Sequence, residues 1–173
     1  MDDLGKVFKE GQGYGIRLER VYGHPIEKVW DALTDPGKMT MWFLDVDWEL
    51  RPGGRITFTF QDSDRTKSYG RIEAMVKWKL LEFWWYNDDG HPDELMRWEL
   101  IRLGNKTKVL LDYSRVRESL AAEVFTSWHI VLGDFGEFLD GRTNFGDFGA
   151  GVPTTESEAL KEKYETLIEQ LNE

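Results

Sequence analysis

Cysteine is absent from the chain. Disulfides, thiolate nucleophiles and cysteine metal sites are therefore excluded. Histidine is scarce. His24, His91 and His129 are the three, and they fall in separate segments without ligand spacing such as HExxH. No metal and no cofactor is expected. Positive charge is short as well: 22 basic residues against 32 acidic ones leave a net charge of −10. Such a surface repels phosphate backbones and anionic membranes, so nucleic-acid binding is not expected. Long apolar runs are missing too. No stretch approaches a membrane span, and "MDDLGKVFKEGQGYG" carries no signal-peptide core. The expectation is a cytoplasmic protein without membrane insertion.

What is present is a rich apolar inventory. Of 173 residues, 40% are hydrophobic and 14% aromatic, with eight tryptophans. That suffices for one domain with a single core. Residues 1–15 are polar and Gly-rich and read as a loosely held arm. "IRLERVYG" places Ile16, Leu18 and then Val21 or Tyr22 on one face of a strand. Pro25 opens a helix in which Ile26, Val29, Trp30 and Leu33 share a face. Asp35-Pro36-Gly37 breaks it, and a short turn follows with Met39, Met41, Trp42 and Phe43.

About six strands come next. Period-two alternation turns inward Val46, Trp48 and Leu50, then Ile56, Phe58 and Phe60, then Leu81, Phe83 and Trp85. It does the same for Met96, Trp98 and Leu100, and for Val109, Leu111 and Tyr113. Trp84 must then point outward, where it could stack on Arg97 or mark a dimer contact. A long helix over about 119–140 carries the stripe Trp128, Leu132, Phe135 and Leu139. Residues 143–154 form a Gly-rich linker. Over 155–173 a last amphipathic helix is expected, with a Thr155/Glu158 capping box. Its stripe of Leu160, Tyr164, Leu167 and Leu171 would pack on the domain or on a dimer mate. A sheet wet on one side and covered by a helix on the other is an α+β layout.

Three segments resemble a known family. "HPIEKVWDALTDPGKMTMWF" resembles the signature of START-like, Bet v 1-like (SRPBCC) domains of the activator-of-Hsp90-ATPase homologue type. "PGGRITFTF", "YGRIEAMVKWKLLEFWW" and "MRWELIRLGNKTKVLLDYS" resemble that family's strands, and "SWHIVLGDFGEFLDG" its closing helix. The similarity runs over about residues 16–142. It implies a helix-grip fold: a curved antiparallel sheet wrapped round a long C-terminal helix, with two short helices after the first strand. Here an extra C-terminal helix follows. The resemblance also implies a cavity between sheet and helix. Ser127 stands where glycine is usual. No separate N-terminal domain like that of the eukaryotic co-chaperone precedes the match, so a chaperone partner is the less favoured expectation.

Chemical motifs are sparse. The chain has no GxSxG elbow, and Ser127 and His129 point about 200° apart on a helix. "GQGYG" follows no strand pattern and gives no phosphate loop. The pairs Asp45/Asp47 and Asp62/Asp64 read as solvated acids. The inward aromatics serve as core or as pocket wall. The expected function is therefore binding of a small apolar or amphipathic molecule. Trp42, Trp48, Phe58, Trp85, Trp98, Tyr113, Trp128 and His129 are its candidate contacts. The alternatives are a co-chaperone-like interaction module, or a cyclase- or hydrolase-like enzyme using His129 and Tyr113 in the same cavity. No residue is assigned a catalytic role.

Overall fold

Alternating apolar residues become strands because one face of each must leave water. In this computed structural model, which describes residues 3–142 and 154–173, eight such strands form one antiparallel sheet. They are β1 (Lys6–Glu10), β2 (Gly13–Tyr22), β3 (Asp45–Trp48), β4 (Arg55–Thr59), β5 (Lys67–Val76), β6 (Leu80–Trp85), β7 (Glu94–Leu103) and β8 (Lys106–Val116). Their spatial order is β1-β2-β8-β7-β6-β5-β4-β3. Helices α1 (Ile26–Thr34) and α2 (Pro36–Trp42) interrupt the strands after β2. Helix α3 (Glu118–Leu139) lies against β2 and β8, and α4 (Thr155–Leu171) packs on α3 and β1. This is the helix-grip α+β fold.

Register shifts bend the sheet between Tyr14 and Ile16 of β2 and between Ile72 and Ala74 of β5. Bulges of this kind increase local twist and curl a strand. Gly70 serves the same curvature: a Cβ there would sit 2.1 Å from the Trp84 carbonyl oxygen, so no other residue fits. The concave face holds the core. Ile16, Leu18, Phe58, Ile72, Leu81, Met96, Trp98, Val109 and Leu111 are all buried, and Trp128, Leu132, Phe135 and Leu139 of α3 close over them. Each such side chain contributes about 1.5–3 kcal/mol on burial.

Several expectations are corrected. The N-terminal segment is not a loose arm, because Lys6–Glu10 forms an edge strand paired with β2. Its lysines and glutamate gave it the polar composition that edge strands use against aggregation. Phe8 lies outward over Gly15, where a Cβ would meet its ring at 2.3 Å. "GQGYG" therefore does follow a strand, but it turns into a second strand rather than a helix. In β2 it is Tyr22 that is buried, while Val21 is 55% exposed. Leu50 lies beyond β3 and is exposed. The α4 cap is Thr154 with Ser157, not Thr155 with Glu158. Its buried stripe is Leu160, Tyr164 and Ile168, with Leu171 exposed. The linker expected over 143–154 lies, apart from Thr154, outside the described residues. Among those residues, no helix is long and apolar enough to cross a membrane.

Candidate functional site

The space between sheet and α3 is occupied by interlocked aromatic rings. Trp42 meets Trp98 at 6.2 Å and Phe135 at 4.5 Å. Phe58 stacks on Trp85 at 4.2 Å with the planes 7° apart. Trp98 lies edge-on to Trp128 at 6.2 Å, and Trp128 stacks on Tyr113 at 5.7 Å. Trp48 joins at the margin through Phe83 at 6.3 Å. Rings at these distances pack as a core cluster. Two of the tryptophans also have a structural task. The Trp42 indole N–H donates to the Ala32 carbonyl (2.9 Å), and that of Trp48 donates to the Thr34 carbonyl (3.1 Å). Both carbonyls lie in the last turn of α1, where intrahelical donors run out.

Seven of the eight residues expected to line a cavity are thus brought together. His129 is not. Adjacent residues on a helix point about 100° apart. With Trp128 against the sheet, His129 turns towards α4, where its Nδ1 lies 2.7 Å from the Tyr164 hydroxyl. That hydroxyl also accepts the Gly5 backbone N–H at 3.0 Å. Burial, then the charge of Arg20, holds the imidazole below the usual histidine range, while Asp3 opposes them. His129 is a link between α3, α4 and the N-terminal segment.

The polar centre of the concave face is a residue that the sequence reading passed over. Glu94 opens β7 on the same face as Met96 and Trp98, so the period of two that selected those residues also selects it. Its Oε2 accepts the Tyr113 hydroxyl at 2.7 Å. Burial raises the Glu94 carboxyl, an effect opposed by the Tyr113 hydrogen bond and by Arg117. Burial, reinforced by the Glu94 charge, pushes the Tyr113 hydroxyl well above its ordinary value. Tyr113 therefore remains a proton donor across the physiological range.

Glu94 lines a cavity of about 360 Å³ at the rim of the sheet. Its walls are the β1–β2 turn at Gly11–Gly13, the loop carrying Asn87, His91 and Pro92, and Arg115 and Arg117 at the approach to α3. The loop wall is tied down by its own bonds. The Asn87 N–H donates to Asp93 (2.9 Å), the His91 N–H donates to Asp89 (3.1 Å), and Asp89 pairs with Arg117 at 3.0 Å. A cavity of this size falls within the range of small-molecule pockets, roughly 300–1,000 Å³.

The outer face of the sheet is laced with ion pairs. Arg97 bonds Glu82, its direct neighbour across the strands, at 3.3 Å. It is therefore not free to stack on Trp84. Arg115 takes that place, 5.0 Å from the ring centroid, and the Trp84 indole N–H donates to Glu73. His24 lies at the surface end of α3, where its Nε2 is 2.6 Å from Asp140 and Lys28 caps the Leu139 carbonyl. Among the described residues, no group of three or more His, Asp or Glu side chains is placed to hold a metal ion.

Comparison with known proteins fits this geometry. A family model described as "Activator of Hsp90 ATPase homolog 1-like protein" matches residues 23–140. No curated protein matches. Among solved structures, CalU16 from Micromonospora echinospora in solution is 24% identical, with a TM-score of 0.75, over 96% of this chain and 93% of that one. A conserved protein of unknown function from Enterococcus faecalis is 17% identical, with a TM-score of 0.74, over 96% and 91%. DynU16, a protein of the dynemicin biosynthetic locus, is 21% identical, with a TM-score of 0.67. The match to DynU16 covers 75% of this chain and 48% of that one.

Proposed function

The chain belongs to the activator of Hsp90 ATPase homolog 1-like family, and from that premise we propose that it binds a small amphipathic molecule at the rim of its concave face. The observation that carries this reading is the placement of Tyr113. Its ring stacks on Trp128 inside the aromatic cluster, while its hydroxyl reaches Glu94 in the wall of the 360 Å³ cavity. One side chain thereby joins an apolar interior to a polar anchor. An amphipathic ligand needs this combination of apolar surface and a few fixed polar groups. The tight packing of the rings moves the expected ligand site from the middle of the sheet to its rim.

Two measurements test the reading. Native mass spectrometry of freshly purified protein should show a bound small molecule. The neutral fluorophore N-phenylnaphthylamine should bind saturably, and Tyr113→Phe should weaken it several-fold by leaving Glu94 without its donor. Absence of both a co-purified molecule and saturable binding would overturn the proposal.

A further inference from the structure

The rim cavity carries charge of both signs, but not in equal availability. The Arg117 guanidinium is engaged by Asp89 at 3.0 Å. That of Arg115 lies against the Trp84 ring on the outer side of the sheet. The acidic side differs. Glu94 spends one oxygen on the Tyr113 hydroxyl, and among the described residues its other oxygen accepts no side-chain hydrogen bond. Glu10 also lines the cavity, and among the described residues its carboxylate makes no side-chain hydrogen bond or ion pair. The field of the whole chain has the same sign, at a net −10. The field of Arg117 reaches Glu94, but its guanidinium is bonded to Asp89, which leaves the second Glu94 oxygen open to a cationic donor from a ligand.

Resting on the reading of the rim as a ligand site, we propose that its ligand is an organic cation: an amphipathic amine whose ammonium pairs with Glu94, with Glu10 a second carboxylate of the cavity lining. The ammonium donates to the free Glu94 oxygen, while Tyr113 holds the other oxygen and fixes the carboxylate plane. The apolar part of the amine lies along Pro92 and the Gly11–Gly13 backbone. At this half-buried position the attraction between an ammonium and the Glu94 carboxylate is screened less than at an exposed carboxylate.

The test uses the intact chain and three probes of one size: hexylammonium, hexanol and hexanoate, each displacing N-phenylnaphthylamine. Hexylammonium should displace it at concentrations about tenfold lower than hexanol, the worth of one charge-assisted hydrogen bond, and hexanoate should be weakest. Glu94→Gln should abolish the advantage of the ammonium over hexanol. Equal or better displacement by hexanol or hexanoate in the wild-type chain would overturn the cation assignment and leave the rim site standing. Failure of all three to displace the fluorophore would overturn the rim reading itself. The wild-type comparison decides the matter even if the variant does not fold.

Discussion

Gly133 and Gly136 stand three residues apart on α3 and meet different surroundings. A methyl added at Gly133 has no neighbour within 4 Å. One added at Gly136 comes within 3.0 Å of the Tyr22 ring. That ring cannot retreat easily. Its hydroxyl donates to the Leu132 carbonyl at 2.7 Å, and its edge rests on Phe135 at 5.3 Å. Gly133→Ala should therefore stabilise the chain by about 0.5–1 kcal/mol, the helix-propensity difference. Gly136→Ala should destabilise it by about 1–3 kcal/mol through overpacking. Denaturant midpoints at constant slope decide; a stabilised Gly136→Ala would show that Tyr22 yields. At this scale the sequence reveals direction better than role. Periodicity turned Trp98, Tyr113 and Trp128 inward, and they are inward. It could not reveal that Trp42 and Trp48 satisfy carbonyls of α1, because those contacts depend on how α1 and α2 fold back on β3. Glu94 was within reach of the same alternation, had a charged residue been allowed on the inner face.

Helix α4 is held by a few bonds that join elements remote in sequence. The Tyr164 hydroxyl bridges Gly5 and His129, and Asn172 receives both the Tyr14 hydroxyl (2.6 Å) and the Lys9 ammonium (2.9 Å). Tyr164→Phe should cost about 1–3 kcal/mol, since it leaves the buried Gly5 N–H without an acceptor. The histidine adds a pH term. Its folded-state value is depressed below the unfolded value of about 6.5, so neutral His129 contributes stability that is present above that pH and lost as pH falls. The raised carboxyls of Glu94 and Asp134 act in the opposite sense. The diagnostic is therefore the difference between wild type and His129→Gln. The wild-type melting temperature should fall relative to the variant between about pH 7 and pH 5. A constant difference would show that His129 does not titrate in this link. Elements with long periodic patterns, such as α1, α3 and β4 to β8, were legible because burial of one face dictates their sequence. Strand β1 was not, since an edge strand shares its polar composition with a loop. The stripe of α4 was read in part: Leu160 and Tyr164 are buried and Leu167 is half-buried against the core, but Ile168 was missed and Leu171 is exposed, because the supports of that helix lie over a hundred residues away or on another helix.

Charge acts on the molecule as a whole. The net −10 is a self-repulsion that folding concentrates into a smaller volume, and it opposes the compact state. Against it stand ion pairs of the outer sheet face, such as Arg17 with Asp112 at 2.6 Å and Lys108 with Glu19 at 2.6 Å. These pairs are solvent-exposed, and exposed pairs add little each. The repulsion should therefore win when salt is varied. Raising sodium chloride from about 0.01 M to about 1 M shortens the Debye length from roughly 30 Å to roughly 3 Å. The long-range repulsion is then screened, while the close contacts lose less. The melting temperature should rise over this range. Chloride is the right anion, because sulfate would add its own strengthening of apolar burial. The same field that destabilises the fold draws cations to the rim, so salt should weaken hexylammonium binding while it stabilises the chain. A melting temperature that fell with chloride would mean that the ion pairs of the sheet outweigh the repulsion. The acidic surplus would then bear on ligand capture alone.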